Sequence, residues 1–556
     1  MKAVGEELVR KHASDGPSRR AVLTGASVLL ASALTSCTRA GNTSAPPGST
    51  AGASAATTAG SGTGGVATGA TGSVTPSAVS STGTSTGVKP TLASLSRQLS
   101  TPLLQPKSAG FGSAARLYNP RFDGAPAPTA IVGCTGTSDV SAAVRFAAAT
   151  STPVSVRAGG HSYGGWSRGS GLMLDVSPMA SVSVDPAGGT ARIGAGAKLV
   201  DVYAALAAKN VAIAAGSCPT VGLTGLLLGG GVGVLTRAYG LTCDALRAAT
   251  VVTADGRVRS VSPTSEPDLF WALRGGGGGL AAVTELTLAV RPAPTVHTFY
   301  LQWDFAAAGA VLGAWQRWVV KTDRALWSTC KLLASPADGP RATVSGTWIG
   351  PEQQLQSVLA PLLAAVGTAP RTNQRNTLNY ASAMLLEAGC SGESPQQCRT
   401  EALGPQKRQP FAATSALLDA PLPGAGISTA VAQVRSALSI SGLAEGGVSF
   451  DALGGAVADI APTATAFAHR NALALVQYTA TFADPGADPA PFDRFVRAER
   501  SALARWTGTA AYVNYADPAI SNYPAAYWGA NYARLQSVKK RYDPNNLFSF
   551  AQSVHA

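Results

Sequence analysis

Two glycine-rich runs carry the side chains best suited to chemistry. The first, Val156-Arg157-Ala158-Gly159-Gly160-His161-Ser162-Tyr163-Gly164-Gly165, sets one imidazole among glycines directly after an apolar strand pattern. The second, Gly216-Ser217-Cys218-Pro219-Thr220-Val221-Gly222-Leu223-Thr224-Gly225, does the same for one thiol and continues to Gly229-Gly230-Gly231-Val232-Gly233. Glycine admits positive φ and lets a bulky ligand approach the main chain, so a strand ending in such a turn offers its amides and its histidine to something other than protein. A neutral imidazole nitrogen adds to the activated 8-methyl carbon of an isoalloxazine, and a thiolate adds to the ring carbon at position 6 once its pKa is lowered. His161 and Cys218 therefore read as two covalent anchors for one flavin. Arg157 and the amides of the runs are donors for the pyrophosphate, which makes Gly159, Gly160, Ser162, Tyr163, Val221, Gly222, Gly225, Gly229, Gly230, Gly231 and Gly233 the expected cofactor contacts. A lone His in a turn is more often a hydrogen-bonded loop residue, and a lone buried Cys a small hydrophobe; neither accounts for both runs at once.

These runs, together with Asp268-Leu269-Phe270-Trp271-Ala272-Leu273-Arg274-Gly275-Gly276-Gly277-Gly278 and the terminal Arg541-Tyr542-Asp543-Pro544-Asn545-Asn546-Leu547-Phe548, resemble the berberine bridge enzyme-like FAD-linked oxidases. The similarity runs from about Leu95 to Ala556. It implies a vanillyl-alcohol-oxidase-type (PCMH-type) FAD-binding domain, His161 as an 8α-histidyl anchor, Cys218 as a 6-S-cysteinyl anchor, and flavin hydrogen bonds from Tyr512, Asn514 and Asn546. One departure is visible: where the family shows a polar residue and then Phe-Gly after the glycine run, this chain reads Gly279-Leu280-Ala281.

Alcohol oxidation on such a cofactor needs a hydride acceptor and a base for the hydroxyl proton. Ala511-Tyr512-Val513-Asn514-Tyr515-Ala516-Asp517 has a strand-like pattern and is similar to a family motif whose tyrosine lies near the flavin, which makes Tyr515 the expected base, assisted by Tyr478 or Gln477. A phenol titrates near pH 10, so Tyr515 needs a lowering influence from the oxidised ring or a nearby cation. Gln477 and Tyr478 are adjacent on one strand pattern and point to opposite faces, so only one of them meets the flavin.

The elements that must position these groups follow from periodicity. Short strand patterns around Val154, Leu172, Val182 and Ala191 alternate with helical patterns at 138–150 and 198–209, and Asp255-Gly256 between two apolar runs marks a hairpin. A strand at 283–290 runs into Arg291-Pro292. Beyond it, His297, Phe299, Leu301 and Trp303 share one strand face, Ala342, Val344, Gly346 and Trp348 another, and Leu355, Val358, Leu359, Leu362 and Val366 recur at helical spacing. The fold class is α+β: a two-part PCMH-type FAD-binding domain over 95–294, a substrate domain with an antiparallel sheet backed by helices over 295–509, and a segment returning to the FAD domain over 510–556. Trp303, Trp327 and Trp348 read as core, with a sugar-stacking floor as the alternative.

Residues 1–37 form an address. Ser18-Arg19-Arg20-Ala21-Val22-Leu23 is a twin-arginine pattern, the apolar stretch from Ala21 to Leu34 is too short for an ordinary spanning helix, and Leu34-Thr35-Ser36-Cys37 looks like a lipobox. The twin-arginine machinery moves folded proteins, as a flavoprotein loaded before export requires. Residues 38–94 are a Gly/Ser/Thr/Ala/Pro linker too poor in large apolar residues to order itself. The expected location is extracytoplasmic, with a lipid on Cys37 as the one membrane attachment, or secreted. Cys390 and Cys398 enclose a short polar loop and are expected to form a disulfide in that compartment. Cys134, Cys243 and Cys330 sit in apolar contexts and read as buried thiols.

The formal charge of the 556-residue chain is +13, but its Lys and Arg are scattered, which argues against nucleic acid as partner. The five His form no spaced cluster with carboxylates, and no metal is expected. The glycine runs lack a Gly-x-Gly-x-x-Gly register with a following acid, which excludes a Rossmann site. The expected function is an exported FAD-dependent oxidase acting on an alcohol of a carbohydrate or secondary metabolite, with O2 as acceptor and H2O2 as product. The alternatives are a dehydrogenase with another acceptor and a surface-anchored binding protein without turnover.

Overall fold

Three β layers succeed one another along the chain. The computed structural model describes residues 89–399 and 407–556; the twin-arginine segment, Cys37 and the linker up to residue 88 lie outside them. The described residues open on a short helix, Leu92–Ser96, capped by the Thr91 hydroxyl.

Strands β1 (Ala130–Gly133), β2 (Val154–Arg157) and β3 (Leu172–Asp175) form a parallel sheet in the order β1-β3-β2. The helix Thr137–Thr150 between β1 and β2 buries Val140, Ala143, Val144 and Ala147, a stripe at helical spacing. Next come β4 (Val182–Asp185), β5 (Thr190–Gly194), β6 (Val211–Ala212), β7 (Leu246–Val252), β8 (Val258–Val261), β9 (Ala282–Ala289) and β10 (Arg291–Pro292). Five of them make an antiparallel sheet in the order β4-β5-β9-β7-β8, and β6 pairs with β10. The β7–β8 hairpin turns through Asp255-Gly256, where Gly256 takes φ 74°.

The third layer is a seven-stranded antiparallel sheet, β11 (Val296–Asp304), β12 (Leu326–Ser335), β13 (Gly339–Trp348), β14 (Thr372–Leu378), β15 (Phe411–Leu418), β16 (Leu443–Ala452) and β17 (Ala474–Phe482), in the order β14-β11-β13-β12-β16-β17-β15. The two apolar faces read from sequence meet in register, with His297 opposite Trp348, Phe299 opposite Gly346, Leu301 opposite Val344 and Trp303 opposite Ala342. Alternation then fixes which residues look outward. Phe299, Leu301, Trp303, Cys330, Phe450, Val476 and Tyr478 join one core with helices Ala308–Val319, Leu355–Val366, Gly424–Ser436 and Ala490–Thr507. Trp327, Leu417 and Leu475, one residue out of phase, belong instead to the core of the antiparallel five-stranded layer.

The C-terminal segment closes the structure against the first half. Leu547 accepts a hydrogen bond from Val154 of β2, and Lys539, fully buried, donates to Gly279, Phe548 and Asp543. The expected strand over Ala511–Asp517 is instead a 3₁₀ turn at Val513–Tyr515. A strand would alternate Asn514 and Tyr515 across two faces, whereas the turn brings both to one wall. Cys390 and Cys398 form a disulfide packed on Val200 and Leu385, and Cys134, Cys243 and Cys330 are buried thiols.

Candidate active site

A cavity of about 310 Å³ lies between the glycine runs and the inner face of the seven-stranded sheet. Gly159, Gly160, His161, Ser162 and Tyr163 border it from the first run, and Cys218, Val221, Gly222, Gly225 and Gly233 from the second. The runs touch through bare main chain: a Cβ on Gly159 would lie 2.2 Å from the Gly222 amide nitrogen, and one on Gly222 would lie 2.5 Å from that of Gly159. The main-chain N–H groups of Gly159, Gly160, His161 and Ser162 donate to no acceptor among the described residues. Consecutive undonated amides at the end of a strand form an anion cradle. Trp327 Nε1 and Thr224 Oγ1, both in the wall, are likewise buried without a hydrogen-bond partner among the described residues. These donors and the glycine-lined approach suit a long ligand with a diphosphate and a polar ring system, as FAD is.

His161 Nε2 and Thr220 Oγ1 are 2.9 Å apart, and the imidazole stacks on Tyr118 at 3.9 Å between ring centres. Burial, with the Lys198 ammonium nearby, holds the ring down to about 3, so it is neutral over the working range. At the same end of the cavity the sheet contributes Trp327, Phe411, Asp451 and Gln477, and the 3₁₀ turn contributes Asn514 and Tyr515. Gln477 Nε2 donates to the Tyr163 hydroxyl at 2.7 Å, and Tyr163 stacks on Tyr515 with ring centres 5.0 Å apart. Asp451 is the one carboxylate among the lining residues. Burial pushes its carboxyl up while Lys331 pulls it down.

Several expected site residues are elsewhere. Arg157 is engaged in an ion pair with Asp175 and donates to the carbonyls of Ala114 and Arg116. Tyr478 points to the outer face beside Glu499 and Arg500, which leaves Gln477 as the member of that pair at the cavity. Gly229, Gly230 and Gly231 do not border the cavity and serve packing: Cβ atoms there would meet Asn514, the Phe467 ring and Thr242 at 2.1, 2.9 and 2.2 Å. Tyr512 accepts from the Gly231 amide and from Asn514 Nδ2, steadying the second run from behind. Asn546 takes φ 53° in a turn and accepts from the Ala556 amide; Phe548, Ser549 and Phe550 border the cavity instead. Trp303 and Trp348 are core, their indole N–H groups donating to Thr368 and Pro351 carbonyls, whereas Trp327 is wall. Burial, with Tyr163, Asp451 and Tyr512 nearby, pushes the Tyr515 phenol upward. Sequence reasoning missed Asp451, although Val448-Ser449-Phe450-Asp451-Ala452 alternates and places one acid on the polar side of a buried strand.

Two family models match the chain, an FAD binding domain over residues 128–262 and a berberine and berberine-like domain over residues 511–555. An uncharacterized FAD-linked oxidoreductase of Bacillus subtilis is 34% identical, the match covering 77% of this chain and 91% of the relative. The chain belongs to the berberine bridge enzyme-like FAD-linked oxidoreductases. The chitooligosaccharide oxidase of Gibberella zeae, 32% identical over 79% of this chain and 89% of its own, is another relative. A solved glucooligosaccharide oxidase of Acremonium strictum, described with a 6-S-cysteinyl, 8α-N1-histidyl FAD, superposes with TM-score 0.72 at 28% identity over 82% of this chain and 96% of that one. As a member of this family the chain is an FAD-linked oxidoreductase of PCMH-type α+β fold, and its Gly277, Gly278 and Gly279 border the cavity despite the departure at Leu280-Ala281.

Proposed function

We propose that this enzyme oxidises an alcohol carbon of a carbohydrate, holds FAD covalently through both His161 and Cys218, and passes the electrons to O2 to give H2O2. The observation that carries the reading is that an imidazole and a sulfur from separate glycine runs border one cavity, at the end where Asp451, Tyr515 and Gln477 also stand. The His161 ring is neutral and its Nε2 is engaged by Thr220, which leaves Nδ1 as the available nucleophile. The doubly linked FAD of the glucooligosaccharide oxidase and the named activities of both carbohydrate oxidases support the same linkages and substrate class here.

The glycine-run amides would hold the diphosphate, and the inner sheet face would hold the reacting ring edge and the substrate. Bound there, FAD supplies a two-electron hydride acceptor that oxygen regenerates. The chain's own part is the proton. Tyr515, with the Asp451 carboxyl group beside it, takes it from the substrate hydroxyl; Gln477 donates to the Tyr163 hydroxyl, and the Tyr163 ring stacks on that of Tyr515 and holds it in place.

The twin-arginine pattern at Ser18–Leu23, the lipobox ending in Cys37 and the polar linker support export of the folded flavoprotein on a lipid-anchored tether. Acid denaturation of purified protein tests the anchors: flavin fluorescence stays with the polypeptide, and His161→Ala and Cys218→Ala each remove one linkage. A screen of oligosaccharides under air tests the reaction. Peroxide should match substrate consumed; turnover with an artificial acceptor but without peroxide would make the enzyme a dehydrogenase.

A further inference from the structure

Lys331 stands on β12, opposite Ser449 of β16 and Thr343 of β13. Side chains alternate along a strand, so Lys331 shares the inner face with Thr329 and with Asp451, which pairs with Thr329; ammonium and carboxylate are diagonal neighbours across one strand pair. Lys331 is 3% exposed and Asp451 8%. An ammonium removed from water is tolerated only among compensating charges. Asp451 and Glu445 of β16 and Glu387, at the C-terminal end of the helix Tyr380–Glu387, supply them, while Arg341 of β13 opposes.

The carboxylates around Lys331 are not equivalent. Glu445 is already paired with Arg341. Glu387 is half-buried outside the cavity, and burial pushes it up to about 7 against the pull of Lys331. Asp451 alone is in the cavity wall, close enough to Tyr515 for its charge to act on the phenol, whose other titratable neighbours are Tyr163 and Tyr512.

We propose that Lys331 is a positioning residue that keeps Asp451 ionised beside Tyr515, where the two together take the substrate's hydroxyl proton, and that Glu387 competes with Asp451 for the same ammonium. The inference rests on the reading of this cavity as a site of alcohol oxidation: one proton moves from the substrate oxygen to the Tyr515–Asp451 pair, and the hydride leaves as that reading states. Removing Lys331 withdraws the positive charge and makes Asp451 harder to ionise, so activity needs a higher pH. Removing the charge of Glu387 does the reverse.

The test uses flavin-loaded Lys331→Met, Lys331→Arg and Glu387→Gln enzymes, with kcat/KM measured against pH and the flavin absorbance titrated in parallel without substrate. Lys331→Met should lose at least about tenfold in kcat/KM near pH 6 and recover as pH rises; Lys331→Arg should follow the wild type, and the acid limb of Glu387→Gln should move to lower pH. The acid-range step in the absorbance titration should move in the same directions. A Lys331→Met profile parallel to wild type at every pH overturns the proposal. If Lys331→Met does not fold, Glu387→Gln decides alone, and an unmoved acid limb and absorbance step overturn it. Wild-type enzyme inert toward every alcohol sinks the oxidation reading instead, while the absorbance step still reports whether Lys331 governs a charge beside the ring.

Discussion

Lys539 and Asp543 are joined at 2.6 Å one helical turn apart, and neither side chain is exposed. The ammonium also binds the carbonyls of Gly279 and Phe548, and the carboxylate accepts from the amides of Leu547 and Phe548. This pair therefore pins the C-terminal tail against the loop whose glycines border the cavity. Lys539→Met leaves a buried carboxylate without its cation and should cost about 3–5 kcal/mol, read as a lowered urea midpoint. The doubly neutral Lys539→Met/Asp543→Leu protein should recover part of that loss.

Gly159→Ala and Gly222→Ala each place a methyl group against the main chain of the opposite run. Each should prevent the two runs from closing and abolish flavin loading, measured as the ratio of visible to protein absorbance. Gly225→Ala is the control: a Cβ there meets nothing within 4 Å of protein, so the fold should stay intact.

The expected helix, hairpin and paired strand faces were legible because their periodicity is strong and local, and the Gln477/Tyr478 choice follows from strand alternation alone. The Ala511–Asp517 turn was not, since its alternating aromatic and polar residues imitate a strand while the Ala511–Ala526 hydrogen bond and the neighbouring helix bend it. The partner of Arg157 was not legible either, because a guanidinium in a glycine run looks free until Asp175, on the neighbouring strand β3, is brought beside it. Asp451 was hidden for a related reason: its significance depends on Lys331 and Tyr515, which are distant in sequence.

Glu499 is 1% exposed, and neither of its carboxyl oxygens has a hydrogen-bond partner among the described residues. Burial raises its pKa well above the usual value. A carboxyl raised in the folded state stays protonated there while the unfolded chain releases its proton, so its contribution is full below the unfolded pKa and is lost as pH rises toward the folded one. Glu499→Gln should therefore gain on wild type by up to about 1.4 kcal/mol per pH unit above about pH 4.5. Urea unfolding of both proteins at several pH values checks the sign; a difference that does not change with pH would refute it.

Gln477→Leu removes the donor to the Tyr163 hydroxyl while keeping the side chain's bulk. It should lower kcat on the order of tenfold through a less restrained Tyr515 ring, with flavin attachment unchanged. Stopped-flow reduction under anaerobic conditions isolates that step.

Because Gly159 and Gly222 meet backbone to backbone, the runs that carry His161 and Cys218 are spaced by peptide geometry before any side chain is considered. Side chains on the inner sheet face, away from Asp451 and Gln477, can thus reshape the opposite wall without altering that spacing.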